Sequence, residues 1–446
     1  MSEQPAPVES VASSALPIEL PQSGLLKVCR SVLSSELFRK VVETYCTRIV
    51  LIGIGLATSV ATARVLGPTG RGFYGVAAAA ATLGVQFGNL GLHAANVYFV
   101  ARDRESLGAL LGNSLALSFG VGGAISGLLA LVFNLFPNLI ALHGITLLLT
   151  LFWIPLGLAY LHMQHLMLGM HDVRGYNLLE IVNRIVALLL IGSLVLIRRY
   201  DVAAFFATGV LALVVCCIWT WARLKIRFAT RTTVSIPLFR SSVQYALKAY
   251  LTSVFCFLVL RADLFMVQHM LGIEQAGSYS VASSMADYIS VIAVVIGTIL
   301  FPKLSAMKNV HEKLRLTYKI SWATAGVLFP LLLAASFLVR PIVHLLFGSA
   351  FMPAALAFIL LMPGMLFLGV NSVAVQFLNS VGYPKTVVVI WGVCCAFNIG
   401  VNFWAIPHYG IAGASVVSSI SYFLAFFFIL QLIRRFSSQC SNLSIP

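Results

Sequence analysis

The sequence predicts an all-α, polytopic membrane protein with twelve transmembrane helices in two parallel six-helix lobes around a central cleft. Three observations predict it. The 446-residue chain is 60% hydrophobic and only 10% charged, with a mean hydropathy of +0.96, whereas a soluble domain is about a quarter charged. Its apolar stretches reach the roughly 20 residues that a helix needs to cross a bilayer. One template is also written twice. "LGPTGRGFYGVA" begins at Leu66 and "LGIEQAGSYSVA" at Leu271, so that Gly67, Gly72, Tyr74, Val76 and Ala77 recur as Gly272, Gly277, Tyr279, Val281 and Ala282.

The apolar stretches place the spans at about 40–64, 73–99, 107–133, 139–167, 175–197 and 202–222 in the first half. The second half follows with about 243–269, 276–302, 317–339, 353–378, 384–406 and 411–433. Barrel strands would alternate apolar and polar residues over about 10 positions. Runs such as "VAAAAATLGV" and "FLAFFFILQLI" are instead apolar on nearly every face. Both template copies fall between the first and second span of a six-span half. Six is even, so the halves cross in the same direction, as in a parallel repeat about an axis along the membrane normal. A weaker echo, "GMHDVRGYN" (169–177) and "SVGYPKTVV" (380–388), joins the fourth and fifth spans of each half. The predicted organisation is a cytoplasmic tail (1–37), an N-lobe (38–225), a cytoplasmic linker (226–242), a C-lobe (243–436) and a second cytoplasmic tail (437–446).

The formal charge of +15 is distributed unevenly. Nineteen Lys and Arg fall in the tails and the loops after even-numbered spans. Five, Arg64, Arg71, Arg198, Arg199 and Arg340, fall at the loops after odd-numbered spans. The positive-inside rule then puts both termini in the cytoplasm. The basic stretch 223–240 reads as a topology signal in contact with anionic membrane lipids. Nucleic acid is excluded as a partner, since no recognition fold accompanies the charge. The first 25 residues carry Glu3, Glu9 and Glu19 and no basic residue, unlike a secretory signal. Eight cysteines show no C-x2-C spacing, so neither a zinc site nor a disulfide framework is expected. "GPTGRGF" lacks the Lys-Ser/Thr of a nucleotide-binding loop, and no cofactor is predicted.

Several stretches resemble a known family. These are "RVLGPTGRGFYGVAAA" after the first span, "GNLGLHAANVYFVAR" closing the second, "LRADLFMVQHMLGIEQAGSYSVAS" across the seventh and eighth, "ILFPKLSAM" and "FLNSVGYPKTVV". Their order and spacing over residues 38–436 resemble the polysaccharide-transporter branch of the multidrug/oligosaccharidyl-lipid/polysaccharide exporter superfamily. The resemblance implies a V-shaped, two-lobed fold in the bacterial inner membrane. It also implies flipping of polyprenyl-pyrophosphate-linked oligosaccharides to the outer leaflet by alternating access, for O-antigen or exopolysaccharide synthesis. A polymerase and chain-length proteins are the implied partners. A drug or metabolite exporter of the same superfamily and a membrane-embedded polymerase or ligase are the alternatives. Exporters usually place acidic residues in the lobes, and the first span offers Arg48, Thr58 and Ser59 with no aspartate. Polymerases usually carry a large outer loop, and every outer loop here is short.

Ionisable residues deep in a bilayer are costly and mark cavities or pairs. Glu180 and Arg184, four apart on one helix, are expected to pair. Arg48 has no sequence-local partner and is read as a diphosphate ligand, because a guanidinium grips phosphate oxygens bidentately. Arg261 and Asp287 sit at matching depths on either side of the second template. With Asp263 they are read as a gate or salt bridge, and Arg261 also as a second substrate contact. Gln86, Asn89, His93 and Asn96, spaced 3, 4, 3, form one helical stripe. With Gln376 of the tenth span they are read as sugar-binding polar side chains facing the cleft. No metal site is predicted.

Overall fold

The computed structural model describes residues 36–442 apart from 138, 229, 230, 308 and 383, with side chains described over 47–436. All geometry below lies within the unit Thr47–Pro446. Among the described residues there are eleven α-helices, two short 3₁₀ turns and no strand. The first half contributes α1 (Glu36–Gly88), α2 (Leu92–Arg102), α3 (Leu107–Leu135), α4 (Gly144–Gly169), α5 (Val173–Leu196) and α6 (Val202–Phe228). The second contributes α7 (Ile236–Leu271), α8 (Ile273–Ala306), α9 (Val310–Leu346), α10 (Pro353–Ser380) and α11 (Lys385–Asn442).

Among the described residues, ten helical stretches are long and apolar enough to cross a membrane. Two of them, Thr47–Gly88 at 42 residues and Lys385–Phe436 at 52, have about twice the needed length. Each is broken at one glycine. Gly67 has φ 66° and ψ −177°, and Gly410 has φ 62° and ψ −149°. A left-handed φ with an extended ψ is open essentially to glycine alone. The breaks turn ten apolar helices into the twelve predicted crossings. The loop expected between 64 and 73 shrinks to Gly67, because Pro68 fits the first position of a new helix without needing an amide partner.

The second crossing, expected to run unbroken over 73–99, is interrupted near its far end. Leu90 (φ 47°) and Gly91 (φ 78°) are both left-handed, and α2 restarts at Leu92. The Asn89 side chain helps satisfy the restart by accepting from the His93 amide at 3.4 Å.

Within the first half, α4 packs on α2, α3 and α6, and α5 packs on α6. Within the second, α10 packs on α8, α9 and α11, and α7 packs on α11. The halves meet at both ends. At the template end the two copies interlock: a Cβ on Gly72 would lie 2.0 Å from the Ile273 carbonyl oxygen, and one on Gly277 2.0 Å from that of Pro68. Pro68 and Ile273 follow the two turn glycines, so each contact is the other with its roles exchanged, as in an isologous interface. Gly75 faces its own counterpart Ser280, whose Cβ would lie 3.0 Å from a Cβ on the glycine. Gly272 (φ 90°, ψ 173°) repeats the conformation of Gly67. At the opposite end, the Tyr250 hydroxyl donates to the Phe87 carbonyl (2.7 Å), and Tyr98 stacks on Tyr245 with ring centroids 4.4 Å apart.

Candidate functional site

A cavity of about 600 Å³ opens among crossings 1, 2, 4, 5 and 6, with crossing 8 closing one side. Helical phase puts its lining in place. On the second crossing Arg71, Tyr74, Ala78, Thr82 and Val85 recur every three or four residues and all face the cavity. On the first, Arg48, Ile52, Gly55 and Ser59 do the same. From the second half, Tyr288 of α8 reaches in so closely that a Cβ on Gly55 would lie 3.0 Å from its hydroxyl.

Four ionisable side chains dominate this lining. Arg48 Nη1 lies 2.9 Å from Glu180 Oε2, and Arg48 Nη2 donates to the Tyr176 hydroxyl at 3.5 Å. Arg184 lines the cavity and is exposed into it; it forms no salt bridge to any described residue. Arg71 is buried, 6% exposed. It donates to Thr62 Oγ1 at 2.9 Å and Ser59 Oγ at 3.2 Å, and its guanidinium lies 5.5 Å from the centre of the Tyr74 ring. The cavity thus holds three guanidiniums against one carboxylate.

Arg48 does have a partner, contrary to the sequence reading. Glu180 reaches Arg48 across the helix interface, and Arg184, one turn further along α5, is left facing the space. Arg71, expected at an outer loop, is wound into the second crossing by the one-residue turn at Gly67. Its spacing of three from Tyr74 and seven from Ala78 was the available signal.

The other predicted residues lie outside this cavity. Gln86 donates to Ser253 Oγ at 2.8 Å, and Asn96 to Ser114 Oγ at 2.8 Å. Asn89 joins His93 and lies 3.2 Å from His162 Nε2. Their stripe is turned by one residue, about 100°, from the face bearing Val85 and Thr82, and the break at Leu90 interrupts it. Gln376 donates to the Ser372 carbonyl (3.1 Å) and accepts from Asn379 (3.0 Å). Arg261 and Asp287 meet in an ion pair. Asp263, two residues on and facing away, accepts instead from the Tyr279 hydroxyl and from Ser418 Oγ (2.8 Å).

Outside the spans, Asp172 between α4 and α5 sits 2.8 Å from Arg223 Nε and 3.2 Å from Arg227 Nη1. Burial pushes its carboxyl up, but the hydrogen bonds and charges of the two arginines outweigh that and hold it below the usual range.

A family model described as polysaccharide biosynthesis protein matches residues 39–308. The chain belongs to that family. An uncharacterized membrane protein of Methanocaldococcus jannaschii is 27% identical over 168 residues, which is 37% of this chain and 33% of that relative; the match thus spans about a third of the relative's length. Among solved structures, a multidrug resistance MATE family transporter of the MOP superfamily in an inward-facing conformation gives a TM-score of 0.66 at 14% identity, over 90% of this chain and 96% of that one. The lipid II flippase MurJ, in an inward-closed conformation, gives 0.67 at 15%, over 89% and 87%. A MOP superfamily transporter from Pyrococcus furiosus, described by a reversed polarity of its binding pocket, gives 0.60 at 13%, over 90% and 97%. The likeness to these three is one of fold.

Proposed function

We propose that this protein flips an anionic lipid-linked saccharide, a polyprenyl-diphosphate oligosaccharide, between membrane leaflets for polysaccharide synthesis. The observation that carries the reading is the excess of guanidiniums in the cavity. A diphosphate must leave water to cross a low-dielectric core, and preplaced guanidiniums offset that loss with charge-assisted, bidentate hydrogen bonds. A cationic drug would find only Glu180, already engaged with Arg48. Membership of the polysaccharide biosynthesis family and a fold shared with a lipid II flippase support the same cargo class.

In this reading the basic tails and linker face the cytoplasm and the template end faces outward. Residues 38–225 rock against 243–436, alternately parting the contacts at the two ends of the cavity. Arg48, near the cytoplasmic end, and Arg184 receive the diphosphate.

Cells in which this chain is the sole source of flipping test the reading. Stably inserted Arg48→Ala and Arg184→Ala should each lower surface polysaccharide by at least about tenfold, the loss of one charged hydrogen bond or more. Arg48→Lys should restore only part, since an ammonium lacks the planar fork. Normal polysaccharide from both alanine variants would remove the cavity from the transport path.

A further inference from the structure

Arg71 is poorly explained by its protein partners. It is buried, 6% exposed, with no carboxylate in a salt bridge to it among the described residues. Its fork is met by two neutral hydroxyls, and its Nε has no partner. A buried charge left uncompensated in this way is costly. The template backbone does not require it: the equivalent position in the second copy is Ala276, and Gly272 adopts the same left-handed turn there as Gly67.

What distinguishes Arg71 is what it connects. It lines the cavity. Its two bonds cross the Gly67 break and brace the start of the second crossing to Ser59 and Thr62 on the first. The next residue, Gly72, is the one that packs on the Ile273 carbonyl. Ser59 and Thr62 lie 11 and 14 residues beyond Arg48, so about 16–21 Å further along the helix axis. One diphosphate cannot reach both ends together.

We infer that Arg71 is a second anion station at the template end of the cavity, and that it couples occupancy to the opening of the interlocked template contact. This rests on the anionic-cargo reading above. Phosphate oxygens accept from a guanidinium more strongly than hydroxyls do. When the diphosphate passes from Arg48 and Arg184 to Arg71, the fork leaves Ser59 and Thr62. The brace across Gly67 is lost, and the glycine contacts at 72 and 277 can part. The opening then follows arrival of cargo at the far station rather than its capture at the first.

The full chain in nanodiscs, with its eight cysteines replaced by serine and the pair Gly75→Cys and Ser280→Cys added, reads the contact directly. That pair has Cβ positions close enough for a disulfide in the closed state. Farnesyl diphosphate is the probe and farnesol the uncharged control. With Arg71 present, the diphosphate should slow disulfide formation by about tenfold, the value of one charged hydrogen bond, and farnesol should not. Arg71→Gln should lose the slowing even at a diphosphate concentration that saturates the variant's measured binding. If that variant fails to insert, Arg71→Lys takes its place and should show at most a partial response. A full response in the variant, or no response in the Arg71 protein despite measured probe binding, overturns the inference. Absence of probe binding in the Arg71 protein instead overturns the anionic-cargo reading, and the inference with it.

Discussion

The two template copies share a backbone and a contact but not their polar neighbours. In the first, Tyr74 lies under the Arg71 guanidinium and beside the cavity. In the second, the equivalent Tyr279 is fully buried and donates to Asp263, which also holds Ser418. The first tyrosine has a basic neighbour and faces space; the second has an acidic neighbour and faces protein. Duplication conserved what closes the template end, a glycine turn followed by a glycine that admits a partner's carbonyl. Divergence then made one half a cavity wall and the other a packed strut. Around the second copy, Phe351, Phe358 and Phe377 are buried about α10.

The largest expected effects probe what the copies share. Gly72→Val and Gly277→Val should disrupt the template contact to the same degree, because each glycine faces a carbonyl oxygen only 2.0 Å from its Cβ position. Disulfide formation at the Gly75/Ser280 pair should fall by more than about tenfold in both, consistent with overpacking costs of about 1–3 kcal/mol. Tolerance of one and not the other would show that the contact is not reciprocal.

A smaller effect separates the copies. Tyr279→Phe leaves a buried carboxylate short of one donor and should destabilise the protein by about 1–3 kcal/mol in a detergent-matched unfolding titration. Tyr74 has no hydrogen bond from its hydroxyl among the described residues, so Tyr74→Phe should change stability by less than about 0.5 kcal/mol. Equal losses would erase the proposed division between strut and cavity wall.

The smallest effect lies in the echo between the fourth and fifth crossings. Only the first half has a carboxylate there: Asp172 ties α6 back to the start of α5, whereas 381–384 carry no acid. Its lowered carboxyl contributes stability that is fully present above the ordinary aspartate value of about 3.9. That stability is lost as pH falls from there through the lowered folded value. Asp172→Asn should remove about 1 kcal/mol at pH 7, since Arg227 is half exposed, and should flatten the acid limb of the stability profile. An unchanged acid limb in Asp172→Asn would assign the pH dependence elsewhere.

Fold class and crossing number were legible because burial in lipid leaves a long apolar run for each span, and the template marked the repeat by its glycines. The site was less legible for a physical reason. Arg48 and Glu180 meet between crossings 1 and 5, and spacing along one helix says nothing of such a pair; it pointed instead to Glu180 with Arg184. The stripe Gln86, Asn89, His93 and Asn96 has the periodicity of a lining face, yet polar residues that join helices to each other have the same periodicity. Arg71 was hidden by its position, since a residue beside a turn glycine reads as loop until the turn is known to consist of one residue.

In the proposed mechanism the cargo's negative charge is carried through the first-half cavity. Flipping of a fluorescent prenyl-diphosphate saccharide in proteoliposomes, compared with the same saccharide on an uncharged prenyl ether, tests it most directly. Protein-dependent flipping of the diphosphate is expected, lowered at least about tenfold by Arg184→Ala, with none above background for the ether. Equal flipping of both lipids, unaffected by Arg184→Ala, would contradict it.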